Sequence, residues 1–125
     1  MARKASTVLL ASAIRTASPT VPVLSGSDGL VDIQIILNAT LDGAAASVQP
    51  VLEGYDEASS TWYDLVASIT PLAAVGTIVI SYGENTPVVA NTSNQGMIPS
   101  RVRLTLTHAD ADAITYSVGM NSSIR

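Results

Sequence analysis

The stretch GLVDIQIILNATL, residues 29–41, alternates with a period of two. Val31, Ile33, Ile35, Leu37, Ala39 and Leu41 are apolar, and Asp32, Gln34, Asn38 and Thr40 between them are polar, with Ile36 the one exception. Successive side chains of a strand point to opposite faces, so this pattern lays one apolar face on a core and turns a polar face to solvent. An amphipathic helix would instead repeat every three to four residues, and no stretch of the chain does so convincingly. The segment is a long, half-buried strand.

The same period recurs on both sides of it. TIVISYG (77–83) puts Ile78, Ile80 and Tyr82 on one side, and TWYDLVASI (61–69) puts Tyr63, Leu65, Ala67 and Ile69 inward and Asp64 and Ser68 outward. On that register Trp62 points away from the core. Turn chemistry falls between the runs, in SGSDG (25–29), LDG (41–43), YDEASS (55–60), GEN (83–85) and NTSNQG (91–96). SVQPVLEGYDEASSTWYDL reads as a hairpin closed by its acidic, Ser-rich middle. RVRLTLTHADADAITYSVG (101–119) reads as a second hairpin: Val102, Leu104 and Leu106 alternate before the loop and Ile114, Tyr116 and Val118 after it. Many short strands with regular turn signals predict one all-β domain, a β-sandwich, Ig-like or jelly-roll-like, of about seven or eight antiparallel strands. Residues 1–16 form an N-terminal arm and first strand, and residues 17–125 the body of the sandwich.

Composition agrees. Val, Ile and Thr supply 35 of the 125 residues, a β-branched excess that favours strands. Charged residues are only 13%, against about 25% in average proteins, so Ser and Thr, 27 in all, must cover much of the surface. The net charge of −4 argues against a nucleic-acid partner held through a basic face. Its distribution is uneven: Arg3, Lys4, Arg15, Arg101, Arg103 and Arg125 lie towards the two ends, and residues 16–100 hold eight carboxylates with no Lys or Arg. Such polarity suits steered contact with a partner of opposite charge. The chain has no cysteine, hence no disulfide framework or thiolate metal site. No apolar run approaches the roughly 20 residues of a membrane-spanning helix. The opening MARKASTVLLASAIR imitates a signal peptide, but Ser6, Thr7 and Ser12 interrupt its apolar stretch and Arg15 follows at once, which favours a first strand.

Two places invite a chemical reading. His108, Asp110 and Asp112 are spaced by two, the arrangement that would turn three ligands the same way along a strand. The chain offers no second histidine to complete such a site, and Asp is also a favoured turn residue, so the segment reads as a bend. EGYDEASSTWYD (53–64) gathers Glu53, Asp56, Glu57 and Asp64 beside Tyr55, Trp62 and Tyr63. Paired carboxylates near aromatics suit a glycosidase cleft, and rings alone suit stacking on sugars. The plainer reading is a solvated hairpin whose exposed tryptophan meets another chain. No phosphate loop, nucleophile elbow or metal motif accompanies these groups, so the expectation is a non-enzymatic protein without a cofactor.

STVLLASAIRTAS, VQPVLEGYDEASSTWYDLVASI and RVRLTLTHADADAITYSVG, taken in order, resemble a group of small structural proteins of tailed bacteriophages. The likeness spans roughly residues 6–119 and weakens over LAAVGTIVISYGENTPVVANTSNQGM, where only a strand and a following loop correspond. The resemblance implies a virion part, a capsid decoration or other minor head or tail component, assembled in the host cytoplasm. Its partners would be the major capsid protein or other virion proteins and further copies of itself, for instance in a trimer. No catalytic residue is implied. On this reading Arg3, Lys4 and Arg15 contact an acidic surface, and a sheet face carrying Trp62 and Tyr55, or a free edge strand, joins copies. The alternative is a carbohydrate-binding or receptor-binding module using Trp62, Tyr55 and Asp56.

Overall fold

The computed structural model describes residues 3–25, 29–42, 46–66, 69–109 and 112–124, and the side chains of all of these except 3, 24, 25, 41 and 42. Among them are nine strands: β1 (Arg3–Arg15), β2 (Thr20–Ser25), β3 (Leu30–Asp42), β4 (Val48–Asp56), β5 (Thr61–Asp64), β6 (Gly76–Gly83), β7 (Ser93–Gln95), β8 (Arg101–His108) and β9 (Ile114–Ile124). They form a five-stranded sheet in the order β1-β9-β3-β6-β7 and a four-stranded sheet in the order β2-β8-β4-β5. All neighbours are antiparallel except β6 and β7, which run parallel. The protein is an all-β sandwich. The count exceeds seven or eight because two very short strands, β5 and β7, extend the sheets.

The pairings are nested. β4 pairs with β5, β3 with β6, β2 with β8 and β1 with β9. The chain is therefore a long antiparallel ribbon, turned back on itself at β4–β5 and rolled so that β9 joins β3 and β8 joins β4. With β7 set aside as an addition to β6, this is the connectivity of a jelly roll.

The alternation read from the sequence sets the core. Val31, Ile33, Ile35, Leu37 and Ala39 from β3 and Ile114, Tyr116 and Val118 from β9 are buried on one side. Val48, Leu52, Val102, Leu104 and Leu106 from β4 and β8 are buried in the same core cluster. Two expectations are corrected. Residues 101–119 are not a hairpin, because β8 belongs to the four-stranded sheet and β9 to the five-stranded one. The segment is an arch that carries the chain across the sandwich, so its two apolar faces share one core instead of lying side by side in one sheet. A backbone bond from Ala109 N–H to Ser47 O (3.2 Å) and a bond from His108 N–H to the Ser18 side-chain Oγ (3.0 Å) tie its start to segments next to β4 and β2. The strand expected over 61–69 ends at Asp64. Leu65 and Val66 are both buried, which breaks the alternation, and Tyr63 is 46% exposed at the rim instead of inside.

All four sheet edges are blunted, a common protection against indiscriminate strand addition. β1 carries two register shifts, β2 carries one and contains Pro22, and β5 and β7 have four and three residues.

Candidate functional site: the aromatic–arginine face

The outward residues of β4 are Gln49, Val51, Glu53 and Tyr55, because Val48, Pro50, Leu52 and Gly54 face in. The outward residues of β8 are Arg101, Arg103, Thr105 and Thr107 by the same parity. Register then brings the chemistry together. Tyr55 lies directly opposite Trp62 on β5, and Glu53 lies between Asp64 on β5 and Arg103 on β8.

The side chains interlock. The rings of Tyr55 and Trp62 have centroids 4.9 Å apart and are tilted by 56°. The Arg103 guanidinium sits 4.1 Å over the Trp62 ring, and that of Arg101 sits 4.9 Å over Tyr55. Each cation over an aromatic face contributes about 0.5–1 kcal/mol at exposed sites, and more where water is excluded. Arg103 Nε also donates to Glu53 Oε1 at 2.9 Å, with side chains only 31% and 16% exposed. Arg101 and Glu57, 3.4 Å apart, are 51% and 62% exposed, so that pair is screened by water. Two arginine–aromatic stacks, each tied to a carboxylate, thus form one preorganised patch.

The turn that joins β4 to β5, next to the patch, is held by its own hydrogen bonds. Asp56 accepts hydrogen bonds from Ser59 Oγ at 2.7 Å and from Ala58 N–H at 3.1 Å, and Ser60 takes a left-handed conformation (φ 56°). The Ser59 hydroxyl, followed by the Ala58 amide, holds the Asp56 carboxyl below its ordinary pKa. Glu53 is engaged by Arg103 and Asp56 by its own turn.

The other sequence-singled residues fall elsewhere. Arg15 is half-buried and turned back on the fold: its guanidinium donates to Ala11 O and Ala13 O and to Tyr116 O, and stacks 4.7 Å from the Tyr116 ring centroid. Lys4 is exposed near the other end of β1. The backbone of Arg3 pairs with Ile124, and its side chain lies outside the described residues. The expected arm and first strand is thus an edge strand hydrogen-bonded along β9 for most of its length. His108 turns towards the core end, where its Nε2 and the Tyr116 hydroxyl share a hydrogen bond of 2.9 Å. Burial pushes the Tyr116 phenol up in pKa, with Arg15 opposing it. Asp112 is exposed, and Asp110 lies outside the described residues.

Sequence reasoning named Tyr55 and Trp62 for the interface but not Arg101 and Arg103, which join them. The signal was present: RVR places two arginines on the polar face of a strand, and the pairing of VLEGYD with RVRLT brings them to Glu53 and Tyr55. Alternation gives the face of each strand but not its neighbour. No protein-family model matches the chain, and none of the curated proteins matches it either.

Proposed function

We propose that this protein is a non-enzymatic structural component of a tailed-phage particle, a capsid decoration or minor head protein, and that the aromatic–arginine face is its contact with other virion proteins. The observation that carries the contact is the joint placement of Tyr55, Trp62, Arg101 and Arg103 on one sheet face. Tyr, Trp and Arg dominate the binding energy of protein interfaces, and groups already locked lose less entropy on association. The particle itself is argued from the resemblance of the three ordered segments. A jelly roll is compatible with it but does not decide it, since viral shell and lectin domains both use that fold.

The face also favours protein contact over sugar stacking. One side of the Trp62 indole is already covered by Arg103, and Asp56 is engaged by Ser59 and Ala58. The blunted edges favour a face over an edge strand as the joining surface. The test is immunogold labelling of phage particles released by cells that carry the gene for the chain, beside light scattering of the purified protein. Regular label on heads, and loss of attachment by Trp62→Ser with the fold intact, are expected. Unlabelled particles would overturn the virion reading, and attachment undisturbed in Trp62→Ser and Arg103→Met would overturn the face.

A further inference from the structure

Ile36 breaks the alternation of β3: Ile35 and Leu37 on either side are buried, and Ile36 points out from the five-stranded sheet. Register gives it company. Val8 on β1 lies opposite Gly119 on β9, Gly119 opposite Ile36, and Ile36 opposite Val79 on β6. Val8 is 74% exposed and Val79 37%. An apolar row thus crosses the solvent face in steps of about 4.8 Å, the spacing of neighbouring strands. Gly119 leaves a dip in that row, since a Cβ there would meet nothing closer than Thr7 O at 3.8 Å.

The rows beside it are polar, and one carries charge. Ser6, Asn121 and Gln34 form the next row, in which Ser6 Oγ donates to Asn121 Oδ1 (2.7 Å) and Asn121 Nδ2 to Gln34 Oε1 (3.1 Å). Beyond it, Lys4 lies opposite Ser123 and Ser123 opposite Asp32. Lys4 is exposed, and among the described residues no ion pair joins it to Asp32. Asp32 accepts from Asn85 N–H (2.9 Å), Asn85 Nδ2 (3.2 Å) and Thr86 Oγ1 (3.2 Å), neutral donors that leave its charge in place. The same bonds hold residues 85 and 86 as a ridge on the β6 side of the face.

We infer that this face is the contact with a second copy of the chain, an isologous pair about a two-fold axis that lies against the sheet along β9. Such an axis turns the second copy over, exchanges the places of β1 and β3, and keeps each row opposite itself. Lys4 of each copy then meets Asp32 of the other, Val8 of each meets Ile36 of the other, and Gly119 meets Gly119 on the axis. An axis across the strands would set the charged row over the far end of the sheet, away from its complement. Sheets packed face to face lie about 10 Å apart, and the glycine at the centre lets Val8 and Ile36 close around it. The ridge falls outside the overlap, because β6 is two strands from the axis and β1 only one, so it flanks the β1 edge of the other copy. The apolar row supplies the burial, and the crossed charges select a partner of the same sequence. This contact is independent of the virion reading and leaves the Trp62 face free for another partner.

The test is sedimentation velocity of the purified chain over a concentration series. A reversible dimer with a dissociation constant of about 10 μM or tighter is expected. Gly119→Asp sets two carboxylates against each other on the axis and should weaken the dimer about a hundredfold or more, and Lys4→Glu, facing Asp32 of the other copy, about tenfold. Trp62→Ser should leave the dimer as it was. The chain has no cysteine of its own, so Gly119→Cys treated with a short bismaleimide should give a covalent dimer, and Thr105→Cys on the opposite outer face should not. Far-UV circular dichroism checks the fold of each variant, and Lys4→Glu, at an exposed position, carries the test if Gly119→Asp does not fold. A monomer at every concentration up to about 1 mM overturns the inference. So does a dimer that survives both charge variants, or one lost in Trp62→Ser, which would move the contact to the aromatic face.

Discussion

The two outer faces of this sandwich rest on one core and share one alternation, yet they are different surfaces. That of the four-stranded sheet holds Glu53, Arg101, Arg103, Tyr55 and Trp62, locked to each other by ion pairs and ring contacts. That of the five-stranded sheet holds Gln34, Asn38, Thr77, Ser81 and Asn121, with Asn121 bonded to Gln34 and Thr77 to Asn38, and with Ile36 and Val79 among them. The first face ties Arg103 to Glu53 and Arg101 to Glu57 and offers large rigid rings, which suits a macromolecular partner. The second offers no ring and carries one apolar row, Val8–Gly119–Ile36–Val79, which suits a second sheet of the same kind. A strand's polar positions are thus not interchangeable filler. What they do depends on which strand lies beside them.

The largest effects should come from the layer that both faces share. Leu37→Ala, under the five-stranded sheet, and Leu104→Ala, under the four-stranded one, each remove a side chain with no solvent exposure and should cost about 2–5 kcal/mol. Trp62, the single tryptophan, reports on one face alone, while far-UV circular dichroism reports on both sheets. Coincident urea transitions by the two probes are expected in both variants. A separate, earlier Trp62 transition would break the comparison at its root, since the faces would then belong to independently melting sheets.

Next in size is Arg103→Met, which leaves the Glu53 carboxylate without its cation and Trp62 without its stack. It should destabilise the fold by about 1–2 kcal/mol, between the values for exposed and fully buried pairs, and should alter the Trp62 emission. Thermal midpoints and fluorescence of the folded variant check both.

Tyr116→Phe removes the hydroxyl shared with His108 and should cost about 0.5–1.5 kcal/mol at neutral pH. Tyr116 and Tyr82 also predict an alkaline limb. Burial raises both phenols above the ordinary 10.0, so the folded state holds their protons more tightly than the unfolded chain does. Their contribution is complete below pH 10 and falls away as the pH rises from there through the raised values. Stability measured against pH should decline more gently in Tyr116→Phe than in the parent.

The smallest changes should be those at the outermost groups. Arg101→Met and Asn121→Ala are each expected to shift stability by about 0.5 kcal/mol or less, because water screens or replaces what is lost. Their effects belong to association, Arg101→Met on particle attachment and Asn121→Ala on dimer formation. A crossed outcome, with each variant impairing the other's contact, would invert the assignment of the faces.

How far this was legible in the sequence follows from what alternation encodes. The inward positions of β3, β8 and β9 could be read directly, because burying one face of a strand needs every second residue to be apolar. The same rule failed over 61–69, where the strand stops after four residues and the chain dives inward at Leu65 and Val66. It also could not separate a hairpin from an arch over 101–119. Both present two amphipathic strands around a short polar loop, and only the partner differs. The candidate face suffered from the same gap: Tyr55 and Trp62 are close in sequence and could be joined by their hairpin, whereas Arg101 and Arg103 arrive from a strand about fifty residues away. Ile36 stood out as an exception to alternation, but the row that it shares with Val8, Gly119 and Val79 was beyond reach for this reason too.

The nesting of the strand pairs also fixes a timetable for folding. Only β4–β5 closes a short loop. The other nested pairs close around it, with β7 added later to β6, and the outermost joins Arg3 to Ile124. Loop closure must precede each reward from pairing, so the ribbon should assemble slowly and from its turn outwards. During synthesis β1 emerges well before its partner β9. Until β9 follows, a strand of 13 residues bearing Val8, Leu9, Leu10 and Ile14 has no edge to join. The register shifts that blunt β1 in the folded molecule should then serve the nascent chain as well, by making it a poor template for its neighbours on the same polysome.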